Sequence, residues 1–191
     1  MDFEEIAEFV LGDTDVPESA MEFAATLLID TLGVAAGAAQ MQAGVIARDH
    51  AARFMAAGAA GDASTLLFDG RTVSIVGASF AAATQIDNLD AHDGYNPTKG
   101  HIGCAVVPAL CAFAETLPGL RARDALKALV ISYELAARAA ISFHASVDDY
   151  HTSGAWNSLG VAALGCRFSP IYERAPGQAK RPLYIHHRNQ G

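Results

Sequence analysis

The sequence predicts an all-α domain fragment with one short β-hairpin near residues 65–74. Three observations carry that prediction. Residues rich in Ala, Leu and Ile recur with a helical period from about residue 3 to 166. Only one place sets strand-forming runs about a tight-turn dipeptide, with Thr65-Leu-Leu-Phe68 before Asp69-Gly70 and Arg71-Thr-Val-Ser74 after it. Two polar stretches, 87–101 and 144–153, read as loops between helices.

The elements follow in order. Residues 3–11 form a short amphipathic helix with Phe3, Ile6, Phe9 and Val10 on one side, ended by Gly12 and Asp13. Asp15 is the expected N-cap of the next helix, with Pro17 in its first turn. That helix reaches about residue 37 and is apolar nearly all round, so burial is expected. A third helix covers roughly 42–58, closed by Gly58 and Gly61. The Asp-Gly pair suits a tight hairpin because glycine accepts positive φ, and so small a hairpin must pack on helices. A small-residue helix runs from Ser74 to about Ile86. Helices follow at 103–116 and 123–143, the latter capped by Asp124 and carrying Glu134 and Arg138 as an i,i+4 pair. A last helix covers 154–166.

Composition excludes several classes. The chain has 191 residues, 51% of them hydrophobic and 18% charged, so it can build a core and is not a disordered polyelectrolyte. The net charge of −8 and the lack of a basic stripe before the C-terminal tail predict no nucleic-acid partner. The three cysteines, Cys104, Cys111 and Cys166, are odd in number and lack C-x-x-C spacing, which suits free thiols in a reducing cytoplasm. The start, Met-Asp-Phe-Glu-Glu, has neither a secretory nor a transit-peptide character. The run 27–39 is short and broken by Asp30, so no membrane span is expected.

The character changes after residue 166. Residues 167–191 hold five Lys/Arg, one acid and the prolines 170, 176 and 182, whereas residues 1–166 hold eight Lys/Arg and twenty acids. Apolar periodicity stops in mid-helix, so this tail reads as foreign sequence, of the kind a frameshift produces, and as loosely ordered.

The first polar loop concentrates the chemistry. Asp87, Asp90, His92, Asp93, Lys99 and His101 fall within residues 87–101, at helix ends where backbone groups are free. Such a cluster can move protons, hold a divalent metal, or act as a solvated turn whose side chains cap helices. The second loop, 144–153, brings His144, Asp148, Asp149, Tyr150 and His151 ahead of a helix start. A histidine there is either a surface or capping residue, or a neutral base whose charged form the helix dipole disfavours.

At these loops the sequence resembles the MmgE/PrpD family. The resemblance rests on Leu27-Leu-Ile-Asp-Thr-Leu-Gly33, Asp90-Ala-His-Asp-Gly94 continuing to Lys99-Gly-His101-Ile-Gly103, Val106-Val-Pro108, Tyr133-Glu134-Leu-Ala-Ala-Arg138, and Tyr150-His151-Thr-Ser-Gly154. It covers about residues 3–165, the N-terminal part of that family's helical domain. The loop departs from the commoner pattern: His92 replaces an acid, Gly94 stands where many relatives carry Thr, and one residue is inserted before His101.

The resemblance implies cofactor-free and metal-free dehydration, decarboxylation or epimerisation of a small di- or tricarboxylic acid, in homodimers. His101, His151 and Asp93 are then the expected catalytic residues, and Asp90, His92 and Lys99 the substrate-binding ones. It also implies further helices and an inserted lid domain, with their cations, beyond this chain. Little or no turnover is therefore expected of these residues alone. Two other readings stand beside it: a helical chain without activity, and a metal-dependent hydrolase using Asp90, His92, Asp93 and His101.

Overall fold

The computed structural model describes residues 2–58, 60–148 and 152–168. Among these, the order is α1 (Phe3–Leu11), α2 (Glu18–Ala38), α3 (Gln42–Phe54), β1 (Ala63–Thr65), β2 (Thr72–Ser74), α4 (Ile75–Leu89), α5 (Gly103–Glu115), α6 (Ala122–Ser146) and α7 (Gly154–Phe168). The fold is all-α with one small antiparallel hairpin, as the sequence predicts. The tail beyond Phe168 and the segment 149–151 lie outside the described residues.

Local chemistry sets the element ends. Asp2 and Glu5 form a reciprocal capping box on α1, and Gly12 closes that helix by donating its N–H to Glu8. The expected cap of α2 is corrected: Pro17 holds the N-cap position, no side chain caps the helix, and Asp15 lies upstream. Asp124 is likewise not the cap of α6. It sits inside the first turn, where its carboxylate accepts from the Arg121 guanidinium at 2.7 Å, and Arg121 is the cap residue.

α3 stops at Phe54, short of Gly58, because the Met55 carbonyl turns away to accept the Ser74 N–H at 2.8 Å. This bond ties the end of α3 to the end of β2. The strands pair with Ser64 opposite Val73. Their connection runs from Leu66 to Arg71 and is wider than a two-residue Asp-Gly turn. The Leu66 carbonyl accepts from both Asp69 and Gly70, and positive φ falls at Phe68 and Gly70. The Asp69 side chain is held by Arg71, whose Nε donates to it at 2.6 Å.

A buried polar network braces this half. Arg48, 6% exposed, donates to Gln85 and to the Ala39 carbonyl, and its Nε lies 3.3 Å from Asp69. Gln85, fully buried, donates onward to the Ala35 carbonyl at 2.6 Å. The network joins α2, α3, α4 and the hairpin loop, so the buried Arg48 charge has partners in Gln85, the Ala39 carbonyl and Asp69.

The larger core lies between α5, α6 and α7, built on Val106, Val107, Leu110, Leu129, Trp156 and Leu164. A second cluster joins α3, α4 and the hairpin through Ala47, Ala51, Leu66, Val73 and Ala78. α2 is not buried all round. One stripe, including Met21, Ala24, Thr31 and Val34, faces the core, while Phe23 and Ile29 remain 65% and 72% exposed, because α4, α5 and α6 cover only one side. By length and composition alone α2 could cross a membrane, but it packs here as a core-flanking helix.

Candidate active site

The loop between α4 and α5 is shaped by two left-handed residues and one clasp. Asp90 leaves α4 with φ 53° and Lys99 turns the chain again with φ 49°. Between them Tyr95 and Gly100 form an antiparallel bridge, the Tyr95 N–H donating to the Gly100 carbonyl at 2.7 Å. Gly100 must lack a side chain, since a β-carbon there would lie 2.5 Å from Trp156 Cζ2 and 2.7 Å from Ser153 Oγ. The loop thus rests on the start of α7.

Asp93 anchors the loop to α5. Its carboxylate accepts from the Gly103 N–H at 3.0 Å and 3.2 Å, capping a helix that has no local side-chain cap. The positive end of the helix dipole favours a carboxylate there. Beside it lies the Tyr133 hydroxyl, and a β-carbon on Gly103 would collide with both groups. Burial, together with the neighbouring Asp93 carboxylate, pushes the Tyr133 phenol well above its ordinary pKa, so it stays protonated.

His101 is held at four points. Its Nδ1 lies 2.7 Å from the Asp93 backbone carbonyl, its N–H donates to Ser153 Oγ at 3.3 Å, and its carbonyl accepts from Asn157 Nδ2 at 2.6 Å. The fourth point is the ring of His92, with centroids 4.3 Å apart. A carbonyl oxygen can only accept, so Nδ1 carries the proton and the neutral ring keeps a lone pair on Nε2. The Asp90 carboxylate is the acid near that nitrogen, at 3.9 Å, beyond hydrogen-bond range.

The expected residues do not all meet at one place. Lys99 and His101 line an open depression of about 250 Å³ together with Gly94, Tyr95, Asn96 and Gly100. Asp90 stands exposed close to His101. Asp93 reaches the site through its backbone carbonyl, while its carboxylate faces α5. His92 turns inward instead: its side chain is fully buried between Asp87 and Cys104, and burial followed by the nearby His101 lowers its pKa, keeping it neutral. His151 lies outside the described residues.

The four residues of the metal-hydrolase reading do not assemble as one set. Asp90, His92 and His101 bring ligand atoms within 4.8 Å of one another, and Asp93 is not among them.

Asn157, Ser153, Gly103 and Tyr133 complete the site; the last three stand inside the quoted motifs, but the motifs alone assign them no role. The Asn157 amide holds the His101 backbone across 56 positions of chain, a contact too distant in sequence for any motif to carry. The second loop is also shorter than expected, since α6 continues through His144 to Ser146 and stacks the His144 ring 5.1 Å from Trp156.

A family model described as the MmgE/PrpD N-terminal domain matches residues 4–171, nearly the whole described chain and five residues past 166. Searches of curated proteins and of solved structures found no match.

Proposed function

The chain belongs to the MmgE/PrpD family, and on that footing we propose that it handles a proton beside a carboxylate of a small di- or tricarboxylic acid. The observation that carries this reading is the fixed tautomer of His101. With Nδ1–H committed to the Asp93 carbonyl, Nε2 is a base on the rim of an open depression. Lys99 lies on the same depression and supplies one positive charge to a substrate carboxylate. Asp93 is the positioning residue for His101, and Asp90 offers a second acceptor near it.

His151 is the second proton-handling group in this reading. Its support is local: Ser153, two residues on, accepts from the His101 backbone. Dehydration, decarboxylation and epimerisation share the removal or delivery of a proton next to a carboxylate, and the reading covers all three. A homodimeric, cytoplasmic and cofactor-free enzyme is part of the same proposal, drawn from the family likeness.

Electrostatics makes the site weak on its own. A substrate with two or three negative charges meets Lys99 as the one cation in the loop, with the exposed Asp90 carboxylate close to His101. Water in the open depression further screens that charge. We therefore expect slow conversion of methylcitrate, citrate or cis-aconitate by the purified chain, lost in His101→Asn. Conversion that survives His101→Asn unchanged would contradict the proposal. No conversion at all would favour the non-enzymatic reading.

A further inference from the structure

We infer that Asp87, His92 and Cys104 form a binding site for a divalent transition-metal ion of the zinc type. The three come from separate elements: the last turn of α4, the loop that follows, and the first turn of α5. Their ligand atoms nonetheless lie within 4.8 Å of one another. The independent pointer to a ligand is His92. Its side chain is 0% exposed, and neither ring nitrogen has a hydrogen-bond partner. A buried imidazole without partners carries a desolvation cost that a bound cation would remove.

The donor set selects the ion. A thiol, an imidazole and a carboxylate suit zinc and its neighbours, whereas magnesium and calcium take oxygen ligands. Two negative ligands, the Asp87 carboxylate and the Cys104 thiolate, would balance a divalent charge, with the thiol proton released to solvent on binding. Three protein ligands leave a fourth position for water.

The site adjoins the depression lined by Lys99 and His101, since the His92 ring lies 4.3 Å from that of His101, but none of its three ligands lines the depression. An ion there would clip the loop carrying His101 to both α4 and α5. The competing set, Asp90, His92 and His101, shares His92 but offers a second imidazole where this set offers the Cys104 thiol, so thiolate spectroscopy separates the two.

The test titrates the full chain, stripped with a chelator, with Zn²⁺ by calorimetry and with Co²⁺ by absorption. One equivalent should bind, and Co²⁺ should show a near-ultraviolet thiolate charge-transfer band. Cys104→Ser should abolish the band, Cys111→Ser should keep it, and Cys104→Ser should weaken Zn²⁺ binding by roughly 100-fold, the upper end of what loss of even an outer-shell partner costs. Asp87→Asn, at a side chain 71% exposed, leaves the core intact and should reduce the Zn²⁺-induced rise in melting temperature. No stoichiometric binding would overturn the site. So would a band that persists in Cys104→Ser, or Zn²⁺ binding lost in His101→Asn while Asp87→Asn and Cys104→Ser retain it.

Discussion

The Nδ1 of His101 lies 2.7 Å from the backbone carbonyl oxygen of Asp93, and that contact decides which ring nitrogen bears the proton. The consequence can be separated from folding. Asn at position 101 places an amide N–H where Nδ1–H stands and deletes Nε2. His101→Asn should keep the melting temperature of the parent and lower any turnover by about 10²- to 10⁴-fold, the usual worth of a general acid or base. A large loss of stability with unchanged activity per folded molecule would assign His101 to structure.

Gly103 permits Asp93 to cap α5. Gly103→Ala drives a methyl group into the Asp93 carboxylate and the Tyr133 hydroxyl. Overpacking of this kind costs about 1–3 kcal/mol. Chemical denaturation should show a lowered midpoint, and the His101 ring should lose its fixed tautomer as Asp93 shifts. An unchanged midpoint would mean the anchor is unimportant.

Arg48 should matter more for stability than any residue of the depression. Arg48→Met keeps the length of the side chain but leaves the Gln85 side-chain oxygen and the Ala39 carbonyl without their donor, while Asp69 keeps Arg71. A buried acceptor left unpaired costs about 1–3 kcal/mol. Thermal unfolding of the variant should show a clear drop, whereas replacing exposed Lys99 by Met should leave the transition in place.

Asp69 makes part of that stability depend on pH. The Arg71 hydrogen bond holds its carboxyl below the ordinary aspartate value of 3.8, with Arg71 and Arg48 charges adding to it. A depressed carboxyl stabilises the fold above its unfolded pKa, and that contribution is lost as pH falls below 3.8. Asp69→Asn should therefore flatten the acid side of the melting-temperature profile, with only a modest effect near neutrality once solvent screening is allowed for. An identical acid slope in the variant would remove Asp69 from the account.

What the sequence shows and hides follows from the range of the interactions. Among the described residues, helical periodicity and the Asp-Gly signal placed every α-helix and the hairpin, because those depend on residues a few positions apart. Ends set by distant partners were misjudged. α3 ends early because Met55 bonds Ser74, and Asp15 and Asp124 do not cap because Pro17 and Arg121 take those positions. The site shows the same division. His101 and Lys99 were visible as polar residues in one loop, but Asp93 capping α5 from ten residues upstream and Asn157 holding the His101 carbonyl are tertiary facts. His92 was expected among the substrate-binding residues of the loop, whereas its side chain is buried where α4 packs against α5.

The most direct measurement is the long-range ¹⁵N–¹H spectrum of the histidine rings in the full chain, with and without cis-aconitate. The account predicts that neutral His101 is protonated on Nδ1 and bare on Nε2, and that the Nε2 signal moves on titration with the tricarboxylate. A proton on Nε2 in the neutral ring, or a His101 Nε2 signal that stays still at saturating ligand, would contradict the central claim.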